Sequence, residues 1–490
     1  MTTLDTLEPK PLWHHFHNLT TIPRPSKKET AACNYLKALA AERGLVCEQD
    51  KVGNILIRVP ATPGLEGTPS VVIQNHIDMV CEKDQGTSFN FDTDPIPVYI
   101  DGDWIRARGT TLGADNGLGA AAALALIDDK SCQHGPLELL FTIDEETGLT
   151  GATHLDGSLI KSKIMLNLDS EEEGIFYIGC AGGVQCTINA PCRREAAGTD
   201  KTVALSIAIR GLRGGHSGLN IVDNRGNALK ILALCLRKAN QNSDIRIVEL
   251  QGGSKHNAIP RESFASIVVP ADRAADLRAR FESEFKRILR EFGAAEPGLT
   301  MEWKEGAPSP SQGISDEAST QRIINLLCAL PHGVSSMNRD LVGLVETSSN
   351  LAIISTEESR FKIIASVRSS VEEAKTALLE QYSSVCTLAG VTLQAEGSYP
   401  AWRPNPNSPL LKRAQALWKE HQGTDTHATA IHAGLECGII LEKCPGMDVI
   451  SFGPDIRGAH SPTECASIPS AGRFYAFLKQ LLTNLAKSPL

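Results

Sequence analysis

The strongest constraint on this chain is a pattern that recurs through its first third. VVIQNHIDMV (71–80), LELLFTIDEE (137–146) and KIMLNLDSEEE (163–173) each begin as an apolar, strand-like run and end in polar or acidic side chains. Between the first two, GLGAAAALALIDD (117–129) reads as a helix of small residues that can pack closely on a sheet. Strands alternating with helices predict an α/β layer architecture with helices on both sheet faces. Sheets of this kind carry their chemistry beyond the carboxyl ends of the strands. The pattern puts His76, Asp78, Glu145, Glu146 and Asp169 there.

The segment from about 186 to 396 follows a different rhythm. VALSIAIRGL, IRIVEL, ESFASIVV and LTMEWKE read as strands, and NRGNALKILALCLRKAN and DLRARFESEFKRILREF as amphipathic helices. A second, looser run of the same kind follows, with helices near DEASTQRIINLLCAL and VEEAKTALLEQYSSVC and strands LAIISTEE and RFKIIASVRSS. After the Pro-rich stretch YPAWRPNPNSP, strand–helix alternation resumes in LLKRAQALWKEHQ, MDVISFGP and AGRFYAFLKQLLTNLAK. The expected order is a first domain made of residues 1–185 and 397–490, with 186–396 inserted as two α+β halves in succession. A chain of 490 residues has room for both.

Composition removes several classes. Lys and Arg number 48 against 57 Asp and Glu, a formal charge of −9. Nucleic-acid binding needs clustered cations, so it is not expected. No apolar window reaches membrane-spanning length, and MTTLDTLEPK lacks the apolar core of a signal peptide. A cytoplasmic protein is expected, with its 13 cysteines reduced and mostly buried. No Gly-Lys-Ser/Thr ending follows Gly214-Gly215 or Gly252-Gly253, which argues against nucleotide binding. Ser170 and Ser217 lack a base-and-orienter set for a serine hydrolase.

Five groups remain that carry chemistry: His76-Ile77-Asp78; GADNG (113–117) at the start of the small-residue helix; Asp144-Glu145-Glu146; Asp169; and His460 in GPDIRGAHSP. Alone, each reads as a polar loop, a strand boundary or a helix cap. Together they are imidazole and carboxylate ligands without a cysteine, a set that suits zinc and also manganese or cobalt. Two histidines and three carboxylates exceed what one tetrahedral ion needs, and suffice for two ions about 3.5–4 Å apart. Of two adjacent glutamates, one can ligate while the other stays free to carry a proton. In His-x-Asp the side chains share one face of a strand, so Asp78 can hold the imidazole of His76.

The chain resembles the cytosol non-specific dipeptidases (aminoacyl-histidine dipeptidases, or peptidase D), a branch of the co-catalytic zinc exopeptidases that include aminoacylases and carnosinases. The resemblance rests on IPRPSKKE (22–29), NHIDMVCEK (75–83), TTLGADNGLG (110–119), TIDEETGLTGA (142–152), LNLDSEEEG (166–174), GGHSG (214–218), HNAIPRE (256–262) and FGPDIRGAHSPTE (452–464). It covers essentially the whole chain. It implies a zinc-exopeptidase-like catalytic domain, a mixed sheet flanked by helices, with an inserted α+β lid and dimerisation domain.

The resemblance further implies two Zn²⁺, replaceable by Co²⁺ or Mn²⁺. His76 and Asp169 would bind one and Glu146 and His460 the other, with Asp115 bridging through a cis peptide to Asn116. It makes Glu145 the general base, Asp78 the residue that orients His76, and His216 the oxyanion donor. Asn257 and Arg368 are candidates for the substrate backbone and carboxylate, and Glu436 for its amine. Glu436 also reads as an acid answering a helix dipole. The implied partners are small dipeptides, including Xaa-His substrates such as carnosine, and a second copy of the chain; no nucleic acid or membrane is expected. A related N-acyl amino acid deacylase or carboxypeptidase is the nearest alternative, and a non-catalytic scaffold the more distant one. His14, His15 and His17 in WHHFH read as helix-face residues, and Glu171–Glu173 as a solvated run beyond Asp169.

Overall fold

The runs at 71–80, 137–146 and 163–173 become neighbouring strands. The computed structural model describes residues 4–196, 201–242, 244–306 and 313–490. These divide into two compact units. One comprises 1–180, 402–430 and 435–490; the other comprises 181–401 and 431–434.

The first unit is built on an eight-stranded mixed sheet. At its centre lie four mutually parallel strands in the order β2 (Leu137–Thr142), β1 (Val71–His76), β3 (Ile164–Asn167) and β4 (Asp448–Ser451). Every residue of β1, β2 and β3 is buried, as expected of parallel strands covered on both faces. The register pairs His76 with Thr142, Gln74 with Asn167, and Asn167 with Ser451. All four carboxyl ends therefore emerge along one edge. Antiparallel strands flank this block: Ile55–Val59 beside β2, and Ile175–Cys180 beside β4.

Helix α1 (Ala114–Asp128) is almost wholly buried, because Gly and Ala let it approach the sheet closely. A Cβ on Gly119 would stand 2.5 Å from the Leu168 carbonyl and 2.6 Å from Asn75 Oδ1. The closing helix α2 (Ile468–Lys487) covers the C-terminal strands through an aromatic cluster. Phe176 meets Phe452 edge-on at 5.7 Å, and Trp418 meets Phe477 at 5.1 Å. Among the described residues, no helix is long and apolar enough to cross a membrane, and all thirteen cysteines are free thiols.

The second unit carries one nine-stranded antiparallel sheet with its own core. Its topology corrects the expectation of two halves in succession. Strand Gly182–Pro191 pairs with Arg360–Ser369 and Thr392–Tyr399, elements of the later half. The earlier half (Thr202–Arg210 through Thr300–Glu305) is thus nested inside the later one. The two join where Gln251 and Gly252 pair with Ser355 and Ile354. The halves have mirrored strand orders about that junction. Long-range pairing of a first strand with the last two leaves no local trace in a sequence.

Candidate metal centre

Each of the four parallel strands hands over to a loop that bears polar side chains. Beyond β1 lie His76, its last residue, and Asp78; beyond β2, Glu145 and Glu146; beyond β3, Asp169; beyond β4, the 452–460 segment ending on His460. Close backbone approach holds the last two together: a Cβ on Gly453 would lie 1.8 Å from the Ser170 carbonyl. Asp115 enters from the start of α1, where the Asp115–Asn116 peptide is cis and both residues depart from helical geometry.

These side chains converge. His76 Nε2 lies 3.2 Å from Asp115 Oδ1 and 3.3 Å from Asp169 Oδ1. His460 Nε2 lies 3.0 Å from Asp115 Oδ2 and 3.1 Å from Glu146 Oε2. The two oxygens of Asp115 therefore face two separate imidazole–carboxylate groups. Ligating atoms of His76, Asp115 and Glu146 all lie within 4.8 Å of one another, so the two groups adjoin.

The donors suit divalent cations. Ligand atoms about 2.0–2.1 Å from a tetrahedral ion stand about 3.3 Å from each other, close to the spacings here. A single proton on His76 Nε2 cannot serve two carboxylate oxygens equally, whereas a cation can. Glu146 Oε1 is buried with no hydrogen-bond partner among the described residues, a costly state for a carboxylate oxygen unless something charged meets it.

Electrostatics point the same way. Hydrogen bonds to Asp115 and Glu146 raise His460 to about 11. Burial works against a proton on His76, but the Asp169 carboxylate and its hydrogen-bonding neighbours outweigh it and hold its pKa well above the ordinary value. Burial opposes charge on Asp115 too, yet the two imidazoles keep it well below the usual carboxylate range. Asp169 is pushed up to about 6 by burial, with His76 opposing and Asp115 adding. The carboxylates that would keep protons on both imidazoles are equally suited to holding cations.

Glu145 is half-buried beside this cluster. Loss of solvent raises its pKa well above the normal range; His76 opposes, and the Asp169, Glu146 and Glu436 carboxylates add. Asp78 is fully buried. Its Oδ1 lies 3.3 Å from His76 Nδ1, accepts from the Glu145 amide at 3.1 Å, and its Oδ2 accepts from the Glu146 amide at 3.2 Å. One carboxylate thus stands against an imidazole and fixes the backbone of both glutamates. Burial disfavours its charge, but His76 and Ser26 more than compensate and hold it at about 2.

Glu436 belongs to the same unit and is buried at the start of the Glu436–Lys443 helix. Its Oε2 accepts from Gln74 and Thr142, each at 2.6 Å, and its Oε1 has no hydrogen-bond partner among the described residues. Burial pushes it up to about 8.

His216, Asn257 and Arg368 lie in the second unit. His216 pairs with Ala258 in a short antiparallel ladder, which brings it beside the Asn257 loop; the Asn257 carbonyl accepts from the Ser217 amide at 2.8 Å. His216 Nδ1 accepts from the Gly218 and Leu219 amides at 3.2 and 3.1 Å. The imidazole proton is then on Nε2. Burial, then the nearby Arg368 and His256, lower His216 to about 4. Arg368 is buried, donates to the Tyr399 hydroxyl at 2.9 Å, and forms no ion pair among the described residues. His432 is buried in the same unit, with Nε2 2.7 Å from Ser348 Oγ.

Several residues escaped the sequence reading. Arg24 and Ser26, in the IPRPSKKE stretch, act from beneath: Arg24 donates to the Ile77 and Asp78 carbonyls at 3.0 and 2.9 Å, and Ser26 to Asp78 at 2.7 Å. Glu29 accepts from the Asp144 amide at 2.9 Å. Glu464, in the FGPDIRGAHSPTE stretch, accepts from the loop before Asp115. Polar or charged residues in a polar stretch were the only local signal for any of them. The acidic run 171–173 is not uniformly solvated: Glu173 pairs with Arg473 at 2.5 Å, and burial raises Glu171 to about 7. His14, His15 and His17 do lie on one helix, where His15 binds Asp128 at 3.1 Å.

Comparison with known proteins adds a family. The profile described as Peptidase family M20/M25/M40 matches residues 72–484. The chain is 40% identical over 487 residues, 99% of each chain, to the cytosol non-specific dipeptidase of Escherichia coli K12. It superposes with a TM-score of 0.91 on the crystal structure of aminoacylhistidine dipeptidase from Vibrio alginolyticus, at 40% identity and with 98% of each chain covered. A tripeptidase from Staphylococcus aureus shares the fold alone, at 16% identity and a TM-score of 0.56, covering 98% of this chain and 100% of that one.

Proposed function

The chain belongs to peptidase family M20/M25/M40, and on that premise we propose that it is a dimetal dipeptidase acting on a range of dipeptides, including Xaa-His substrates such as carnosine. The observation that carries the reading is the double contact of Asp115, one oxygen toward His76 and Asp169 and the other toward His460 and Glu146. His76, Asp169 and Asp115 would hold one ion; His460, Glu146 and Asp115 the other. Zinc fits these nitrogen and oxygen donors, with cobalt or manganese as substitutes. Similarity to a cytosol enzyme and to a dipeptidase of the same length supports a cytoplasmic site of action and small-peptide substrates; a homodimer is part of the same proposal.

A pair of divalent ions supplies Lewis acidity and makes water a nucleophile near neutral pH. The chain's own residues do the rest. Glu145, beside the cluster and not among its ligands, takes the proton of the attacking water and returns it to the leaving amine. Asp78 keeps Glu145 in place through the backbone and keeps His76 oriented. His216, neutral at pH 7 with its proton on Nε2, is suited to donate to the oxyanion. Arg368 and Asn257 would hold the substrate's carboxylate and backbone, since Arg368 has no acidic partner of its own among the described residues. Glu436, buried and partly unpartnered, is the candidate counterpart of the substrate amine.

The test is metal analysis of the purified protein with a comparison of Ala-His and N-acetyl-His. Two equivalents of metal, chelator-sensitive release of histidine from Ala-His, and little action on the acetylated compound are expected. Preference for N-acetyl-His would replace the dipeptidase reading with a deacylase. Absence of hydrolysis of either would remove the enzymatic assignment of substrate.

A further inference from the structure

Glu464 lies four residues beyond His460 and is 2% exposed. Its Oε2 accepts from the amides of Leu112 and Gly113 at 2.7 and 2.9 Å, and its Oε1 from those of Ala114 and Asp115 at 2.8 and 3.3 Å. Four consecutive amides, ending on Asp115, thus converge on one carboxylate. The first amides of a helix have no partners within it, and Gly113, at the cap position, has no side chain to offer. The cap is supplied instead from a residue about 350 positions away in sequence.

Helical hydrogen bonding does not fix this stretch. Asp115 has φ −80° and ψ 117°, and Asn116 φ −98° and ψ 32°, so the helical path is broken at the residue that faces both imidazoles. At the other end, the Glu464 amide donates to the Ser461 carbonyl at 3.0 Å, closing a turn next to His460. One side chain therefore ties the loop that presents Asp115 to the loop that presents His460.

We propose that Glu464 is a positioning residue that sets the spacing of Asp115 and His460, and with it the geometry of the cation pair; this rests on the dimetal reading above. All the accepting capacity of a carboxylate is used by these N–H groups. A glutamine at 464 would keep the size but turn an NH₂ group toward two of the four amides. An aspartate would keep the charge and fall one methylene short. Partners that orient a metal ligand typically account for about 10–100-fold in metal affinity.

The experiment uses the full-length protein stripped of metal, as wild type, E464Q and E464D. Each is checked for folding by circular dichroism and titrated with Co²⁺, following heat release and the visible d–d absorption. Wild type should take up two equivalents. E464Q should stay folded, bind at least one equivalent about 10–100-fold more weakly and give an altered cobalt spectrum. E464D should move in the same direction, and carries the test if E464Q does not fold. Wild-type affinities and spectrum in the folded variants would overturn the inference while leaving the dimetal reading intact. Uptake of fewer than two equivalents by wild type would sink both, and would be seen before any variant was compared.

Discussion

Replacing Gly119 by alanine tests whether the contact between α1 and the strand ends is as tight as it looks. On an exposed helix the change would be favourable by about 1 kcal/mol, because glycine is a poor helix former. Here the new methyl carbon would stand 2.5 Å from the Leu168 carbonyl, 2.6 Å from Asn75 Oδ1 and 2.7 Å from Asn116 Oδ1. The first is backbone of the segment leading to Asp169, and Asn116 follows Asp115 directly. Neither can yield without moving a residue of the cluster. Overpacking of this kind costs about 1–3 kcal/mol. With three contacts under 3 Å the upper part of that range applies, leaving about 1–2 kcal/mol of net destabilisation. For a unit of this size that is a fall in Tm of about 2–8 °C. Calorimetry of the metal-free protein should show it, and metal affinity should fall as well, since both Asp115 and Asp169 are displaced. Gly67→Ala is the control, because a Cβ there meets nothing within 4 Å. A Gly119→Ala protein as stable as wild type or more so, with unchanged metal affinity, would refute the argument.

Other outcomes follow from the same geometry. Glu145→Gln should retain both metals and lower kcat by about 10²–10⁴ with KM little changed; normal turnover in a metal-replete variant would remove the proposed base. His216→Ala should lower kcat by about 10²–10³, with His216→Asn, which keeps an N–H donor, recovering part of the loss. His332 and His432 are each lowered to about 3, by burial first. The unfolded chain therefore takes up protons that the folded one refuses, and stability should fall as pH drops through about 6.5, by up to about 1.4 kcal/mol per pH unit for each histidine. Urea midpoints between pH 7 and 5 should show this, and His332→Asn should have the shallower slope; coincident slopes would remove His332 as a contributor.

The convergence of imidazoles and carboxylates was legible because most of its parts are written just beyond the ends of strands, and Asp115 at the start of a helix of small residues. Six buried residues followed by polar ones mark β1 and β2, and a parallel block brings such ends together wherever the strands fall in sequence. Nothing local could announce that Glu464 would accept four amides some 350 residues earlier, or that Arg24 would hold the carbonyls of Ile77 and Asp78. Backbone amides and carbonyls carry no sequence signature, so residues that bind them look like ordinary surface charge. The nested topology of the second unit was hidden for a related reason: Gly182–Pro191 reads as a strand anywhere, and only its pairing with Arg360–Ser369 assigns it to the later half.

The hidden residues bear on why such a cluster can exist at all. Asp78, Asp115, Glu145, Glu146, Asp169, Glu436 and Glu464 crowd one edge of the sheet, and Arg24 is the guanidinium buried among them. Like charges this close destabilise a fold unless they are protonated, hydrogen-bonded or met by cations. Asp78 and Glu464 are satisfied mainly by backbone amides, and one oxygen of Glu436 by Gln74 and Thr142. Asp115, Glu146 and Asp169 have only the two imidazoles. Glu145 has no side-chain hydrogen bond among the described residues, and one oxygen each of Glu146 and Glu436 is unpartnered, so this edge holds more carboxylate than its hydrogen bonds satisfy, and on the dimetal reading metal binding also contributes folding energy. Chelation should then lower the Tm of the metal-bearing unit as well as abolish turnover, and restored zinc should recover both. A Tm indifferent to chelator in a protein that carries two ions would break that link between the charge pattern and the ligand assignment.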